Sequence, residues 1–256
     1  MPVELVRRSV RRLADSGWNR EPNPGLVIRR GLQRWDGAGQ GGAGADKERL
    51  IARLAGVRAS GVYEWAFDRW CKATTGEAFD AQELALVGRL YIGLSRDNPL
   101  ETGVSLSHAF GMPLLPGSAL KGVARAAARA AGMDAEVETY LFGSNPDETG
   151  ADEADHEVAA VVFHDAWWVP CGDAKPFALE RVTPHHTEYY AGAIADATDF
   201  DSPVPAAQIA VQGAFRFVVE GPEGWRALAM GMLVRALTLS GVGGKTTSGY
   251  GLFAAP

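Results

Sequence analysis

Eleven residues near the C-terminus combine features that suit phosphate binding. The segment 241–251, GVGGKTTSGYG, holds five glycines, one lysine and three small hydroxyl side chains. Glycine lets the backbone turn so that several N–H groups point at one anion, and the lysine adds a positive charge. The predicted phosphate-binding residues are Gly243, Gly244, Lys245, Thr246 and Ser248. A helix cap at Gly241 followed by a hairpin turn explains the same segment equally well.

The tripeptide Gly244-Lys245-Thr246 also matches the end of an ATP-binding P-loop. That pattern needs a glycine six residues before the lysine, where this chain has Leu239. A P-loop also follows a strand, whereas the apolar spacing of residues 224–240 predicts a helix immediately before this segment. A nucleotide-binding enzyme is therefore a minor alternative.

A second segment predicts a helix whose start favours anions. Pro116-Gly117-Ser118 predicts a helix that begins with Ser118 as N-cap and ends near residue 131, before Gly132. Free N–H groups at a helix N-terminus attract phosphate. One face repeats a basic residue every four positions, at Lys121, Arg125 and Arg129. We predict that Lys121 and Arg125 form part of a positive site for phosphate, with a solvated basic face as the alternative.

Two histidine positions complete the predicted site. His185 lies in TPHHTEYYAG (183–192), beside tyrosines that could stack on bases. Adjacent histidines on a strand point in opposite directions and no third ligand is evident, so we expect an RNA-contacting or structural loop rather than a metal site. His108 is a candidate general base toward a ribose 2′-hydroxyl, with a packing role as the alternative.

The composition is that of a globular protein in a reducing compartment. Of 256 residues, 46% are hydrophobic and 22% are charged. Cys71 and Cys171 lie one hundred positions apart, which fits neither a disulfide framework nor a pair of metal ligands. No apolar run approaches the roughly 20 residues of a membrane span, and the arginine-rich N-terminus does not resemble a signal peptide. We expect a cytoplasmic protein, and no motif predicts a cofactor.

Charge is distributed unevenly along the chain. The net charge is −6, but residues 134–201 hold sixteen acidic and two basic residues, a net −14, so the remainder carries +8. Such asymmetry predicts two surfaces with different partners, with a solvated acidic loop as the alternative.

The hydrophobic patterns predict an α+β fold. Strand patterns occur over residues 84–94, 161–169 and 209–219, and helix patterns over 118–131 and 224–240. With a short apolar segment at 252–254, this order matches a ferredoxin-like sheet, the plan of RNA-recognition domains. We expect residues 1–80 to form a helical extension, with a helix over 3–16 and a glycine-rich linker over 36–45. We expect residues 81–256 to form the RNA-binding domain.

Three motifs in this order resemble the RAMP proteins of CRISPR–Cas systems. They are LPGSALKGVAR (115–125), TPHHTEYYAG (183–192) after VVFHDAWW (161–168), and GVGGKTTSGYG (241–251). Together with LETGVSLSHAFGMPLLPGS (100–118), they are most similar to the family of sixth subunits of the type III-B, or Cmr, effector complex. The resemblance covers about residues 84–256.

The resemblance implies a non-catalytic, guide-RNA-binding subunit in antiviral defence against foreign RNA. Such a subunit caps the backbone near the 3′ end of the guide, and RNA cleavage belongs to a sibling subunit. By the resemblance, Ser118, Lys121 and Lys245 with its glycine loop contact guide phosphates. The implied partners are guide RNA, target RNA indirectly, and sibling backbone and small helical subunits at the acidic surface 134–201, with no membrane. The alternative is a metal-independent endoribonuclease that processes precursor guide RNA with His108 as its base.

Overall fold

The computed structural model describes residues 3–4, 23–32, 34–35, 43–94, 102–144, 157–183, 189, 192, 196 and 205–254. The helices are α1 Pro24–Arg30, α2 Ala43–Leu54, α3 Gly61–Ala73, α4 Gly117–Ala130, α5 Ala135–Phe142 and α6 Glu223–Leu239. The strands are β1 Val3–Glu4, β2 Arg34–Trp35, β3 Phe79–Ala85, β4 Leu114–Leu115, β5 Val162–Phe163, β6 Ala166–Trp168, β7 Phe177–Val182, β8 Ala206–Val211 and β9 Ala214–Glu220. Within this part of the chain, no helix is long and apolar enough to cross a membrane.

The main sheet is antiparallel and has β9 at its centre. Strand β3 pairs with one edge of β9, while β5 and β6 pair with the other, and β4 lies outside β6. The C-terminal segment adds to the outer edge of β3, where Leu86 pairs with Phe253 and the Ala254 N–H donates to the Ala85 carbonyl at 2.8 Å. Read along the chain, these strands and helices α4 and α6 form the split βαβ plan, which confirms the predicted ferredoxin-like fold.

Alternation along β9 decides which side of the sheet forms the main core. Phe215, Phe217 and Val219 are fully buried and share a cluster with residues of α4 and α6. The Phe253 ring meets Phe215 and Phe217 edge-on at 6.2 and 5.3 Å between centroids. Both long helices therefore pack on this inner face, as the period-two pattern of β9 requires.

Helix α3 packs on the opposite face of the sheet. Trp167 of β6 lies directly opposite Arg216 of β9, so both side chains project from this face of the sheet. The Tyr63 and Trp70 rings of α3 stack against Trp167 at 5.9 and 6.0 Å between centroids. Arg216 reaches Thr74, at the end of α3, at 3.4 Å. RNA-recognition domains stack bases on this face of the sheet, and here α3 occupies it over β6 and β9.

The N-terminal helices share a second core with the insertion between β6 and β9. Val27 of α1, and Ile51 and Leu54 of α2, are buried together with Phe177 of β7 and Ile209 of β8. Part of the N-terminal chain therefore packs on the β7–β8 pair. The division of the chain at residue 80 stays a prediction.

Several predicted boundaries in the first half of the chain need correction. Residues 3–4 form strand β1, paired with β2, so the predicted helix over 3–16 is wrong at its start; residues 5–16 lie outside the described part. Helix α2 begins at Ala43, so the predicted linker 36–45 is helical in its last three residues. The strand predicted over 84–94 ends at Ala85, because the chain beyond it pairs only through isolated bridges.

The clearest period-two run, residues 209–219, is two strands rather than one. Strand β8 ends at Val211 and β9 begins at Ala214, with a turn at Gln212–Gly213 between them. Gly213 has a φ of 101°, which glycine adopts without steric cost. The two residues between the strands preserve the alternation, so periodicity alone does not reveal that β8 and β9 belong to different sheets.

Candidate nucleic-acid interface

The glycine-rich loop 241–251 is anchored to the chain at 89–91. The Gly241 N–H caps α6 by donating to the Ala236 carbonyl at 2.9 Å. The N–H groups of Gly244 and Gly251 donate to the carbonyls of Tyr91 and Arg89, both at 2.8 Å. The helix cap predicted at Gly241 is therefore present, and the rest of the loop is held by bonds to a neighbouring segment.

Two glycines of the loop are required by close backbone contacts. Gly243 has a φ of 92°, and a Cβ atom there would overlap the carbonyl oxygen of Tyr91. Gly251 has a φ of 73°, and a Cβ atom there would overlap the carbonyl oxygen of Val242. These glycines fix the shape of the loop rather than contribute a binding group.

Lys245 has the geometry of an anion-binding nest. Its φ of 59° is left-handed, and it is the one non-glycine residue with positive φ in the described part of the chain. It precedes a single 3₁₀ turn, Thr246–Ser248. Within the described contacts, the N–H groups of Lys245, Thr246 and Thr247 have no hydrogen-bond acceptor. Successive N–H groups beside a left-handed residue form a concave site for an anion, and the exposed Lys245 side chain adds charge.

The start of α4 is capped from a distant strand. The Asp165 carboxylate accepts a hydrogen bond from the Gly117 N–H at 2.8 Å. Pro116 occupies the N-cap position, so the prediction of Ser118 as N-cap is wrong; Ser118 lies in the first turn and is exposed. The N–H groups of Ala119 and Leu120 bond to the Pro116 carbonyl at 2.9 and 3.1 Å. Among the described hydrogen bonds, the Ser118 N–H has no acceptor.

A β-bulge places Asp165 at this helix. Phe163 pairs with Val219 and Trp167 with Arg216, so three residues of the β5–β6 segment stand opposite two of β9. The extra residue turns Asp165 away from the sheet. The sequence carries one signal of this bulge, a carboxylate at a position of the 161–169 run that alternation assigns to apolar side chains.

The basic stripe of α4 divides into one lysine and two arginines with different surroundings. Arg125 Nε lies 3.2 Å from Glu138, and its guanidinium bonds the Gly143 carbonyl and lies 5.6 Å from the Phe142 ring centroid. Arg129 shares the same carboxylate at 2.7 Å. Lys121 makes no ion pair with a described residue, and partial burial, together with Arg125, lowers its pKa. Of the stripe, Lys121 is best placed to contact a phosphate.

The predicted histidines do not join these elements. His108 is exposed in the loop 107–112, and no described contact links it to α4 or to the glycine loop. His185 lies outside the described residues. A histidine–carboxylate pair exists elsewhere, where His164 Nε2 lies 2.9 Å from Glu220. Likewise, no described hydrogen bond, ion pair or ring contact joins Ser118 or Lys121 to the glycine loop.

The described side chains offer anion binding and no evident metal centre. Among them, no group of three or more His, Cys, Asp or Glu residues is placed to hold a metal ion. The Lys245 nest and the Lys121 region each offer N–H groups and an ammonium. Such groups recognise phosphate without reading a base.

One family model matches this chain, and solved structures of similar fold are found. The model of the RAMP superfamily matches residues 83–254. A chain in the cryo-EM structure of the type III-B Cmr-beta complex bound to cognate target RNA is similar, with a TM-score of 0.63, 18% identity, and coverage of 82% of this chain and 71% of that chain. The crystal structure of Cmr6 from Pyrococcus furiosus gives a TM-score of 0.42 and 23% identity, covering 70% of this chain and 98% of that one. No curated protein sequence matches significantly.

Proposed function

The chain belongs to the RAMP superfamily, and we propose that it is a non-catalytic, guide-RNA-binding subunit of a type III-B CRISPR effector complex. It would cap the backbone of the complex near the 3′ end of the guide. The Lys245 nest carries this proposal, because N–H groups without acceptors beside an exposed ammonium suit an RNA phosphate.

Backbone contact fits the arrangement of the sheet. Helix α3 occupies the face on which other ferredoxin-like RNA binders stack bases, with Tyr63 and Trp70 packed on Trp167. Recognition is therefore expected to depend on phosphates and to be independent of guide sequence. A guide-binding subunit needs this property, because its guides differ in sequence.

The partners follow from the same proposal. The similar type III-B structure is described as bound to cognate target RNA. By analogy, this chain would bind guide RNA directly and meet target RNA through the guide. Sibling subunits would dock on the acidic surface 134–201, and cleavage would belong to one of them.

The test is a set of lysine variants within the assembled complex. Lys245→Gly removes the ammonium and relieves the left-handed strain of about 1 kcal/mol, so the fold should be retained. Lys72→Ala, which removes an exposed lysine of α3, is the matched control. We expect Lys245→Gly, but not Lys72→Ala, to weaken retention of guides of any sequence.

The salt dependence gives a second readout. Loss of one phosphate contact to single-stranded RNA should reduce the slope of log affinity against log salt by about 0.7. Unchanged retention and slope in Lys245→Gly would contradict the proposal. Metal-independent cleavage of repeat RNA by the purified chain, lost in His108→Ala, would instead support the endoribonuclease.

A further inference from the structure

An open groove lies beside the glycine loop and has no role in the function proposed above. Its volume is about 570 Å³, and it is lined by residues 86–89, Ala174–Lys175 and Gln212–Gly213. This volume falls within the range of about 300–1,000 Å³ usual for small-ligand sites. Gly88 has open space where a side chain would stand, which leaves room for an incoming group.

The groove adjoins the chain that forms the nest. Its wall at 86–89 is hydrogen-bonded to the end of the loop, with Val87 N–H donating to the Leu252 carbonyl at 2.9 Å. Gly251 N–H donates to the Arg89 carbonyl at 2.8 Å in the same ladder. One wall of the groove therefore belongs to the segment that anchors the end of the glycine loop.

The lining combines positive charge with an exposed apolar side chain. Lys175 is exposed and makes no ion pair with a described residue, and Val87 is 70% exposed. No carboxylate lines the groove. Glu180 lies 3.2 Å from Arg89 Nε and offsets that cation. Lys175 is thus the free charge, and Val87 offers an apolar surface to a ribose or base.

The floor of the groove is held by a set of hydrogen bonds around Gln212. Its side-chain amide donates to the carbonyls of Lys175 and Phe177, at 2.9 and 3.4 Å, and its Oε1 accepts from Arg89. The Trp168 indole N–H donates to its main-chain carbonyl at 2.8 Å. These bonds hold both walls of the groove in place. RNA binding therefore does not have to order the walls, and less of the binding free energy is lost to ordering.

We propose that this groove binds a nucleotide of the RNA strand that the nest holds, with Lys175 at its phosphate and Val87 against its ribose or base. The inference rests on the proposed function, because both sites take the same single strand of RNA. It adds a second phosphate contact and an apolar contact that the glycine loop does not provide.

Binding of a fluorescent ten-nucleotide uridine RNA to the full chain tests the groove. Lys175→Ala should lower affinity about three- to tenfold at low salt and reduce the salt slope by about 0.7. Val87→Ser should lower affinity by about two- to fivefold without changing the slope, because it removes an uncharged contact. Lys72→Ala and Val62→Ser, which alter exposed residues of α3, are the controls and should bind as the unmodified chain does.

The outcomes separate the groove from the nest. If both groove variants bind normally while Lys245→Gly weakens binding, the groove inference is wrong and the proposed function stands. If Lys245→Gly also binds normally, the proposed function fails as well. If the α3 controls lose as much RNA affinity as the groove variants do, the groove inference is wrong. It is also wrong if Val87→Ser releases a sibling subunit while RNA binding is unchanged.

Discussion

Replacing Asp165 should separate the stability of the fold from its affinity for RNA. Its carboxylate accepts from the Gly117 N–H at 2.8 Å, and α4 has no side-chain cap of its own. Loss of such a cap costs about 1 kcal/mol, and loss of a negative charge at a helix N-terminus adds about 0.3 kcal/mol at an exposed site. Asp165 is exposed, so Asp165→Ala should lower the free energy of unfolding by about 1–1.5 kcal/mol.

Urea denaturation at neutral pH measures this effect. For a chain of this size, the loss corresponds to a Tm lower by about 2–6 °C. Asp165→Asn keeps an acceptor and should lose only part of that amount. Ser118→Ala should be close to neutral, because its hydroxyl does not cap the helix. A Ser118→Ala loss as large as that of Asp165→Ala would refute this account of the cap.

The RNA affinity should move the other way. The Asp165 carboxylate holds negative charge at the N-terminus to which a phosphate would bind, so its removal reduces repulsion of RNA. Asp165→Asn should therefore bind RNA at least as tightly as the unmodified chain in the complex-retention assay. A clear loss of RNA from a folded Asp165→Asn variant would contradict an anion site at this helix.

Four further substitutions test the packing and the electrostatics. Gly117→Ala should destabilise the fold by at least about 2 kcal/mol, because the added Cβ would overlap the Phe163 carbonyl. Gly122 has open space around it, so Gly122→Ala should raise the free energy of unfolding in urea by about 0.5–1 kcal/mol. Tyr63→Phe should cost about 1–2 kcal/mol, measured in the same way, because the carbonyl that it bonds at 2.6 Å is buried. The pKa of Lys121 is lowered in the folded state. Between that pKa and the ordinary value of 10.5, the folded state binds fewer protons than the unfolded state. The free energy of unfolding should therefore rise with pH across this window. Lys121→Met should abolish that rise in unfolding midpoints measured against pH; an identical rise would assign it to another group.

Local signals predicted the elements whose patterns are complete within one segment. Helices α4 and α6 lie close to the predicted ranges, and Gly132 follows α4 with a φ of 76°. The order of strands and helices matched the ferredoxin-like plan but did not distinguish it from other α+β folds, and the resemblance to RAMP proteins favoured that plan. In β9 the predicted apolar positions Phe215, Phe217 and Val219 are buried.

The remaining features depend on residues far apart in sequence. The cap of α4 comes from Asp165, forty-eight positions away, so the nearby serine was a misleading signal. Arg125 faces α5 because Glu138 and Phe142 come to lie beside it, which helical spacing does not reveal. The rings of Tyr63 and Trp70 stack on Trp167, about one hundred positions later in the chain, so no local pattern reveals the sheet face that α3 covers.

The position of α3 has a consequence for synthesis on the ribosome. Its end bonds to Arg216, 142 positions later in the chain. At about 5–20 residues per second, the strand that supports this helix is made roughly 7–30 s after it. Until β9 is made, Trp167 lacks the central strand with which β6 pairs, so the sheet face on which Tyr63 and Trp70 pack is incomplete. The nascent chain therefore presents aromatic side chains to chaperones and neighbouring chains. Completion of the central strand β9 therefore sets the earliest time at which this domain can fold.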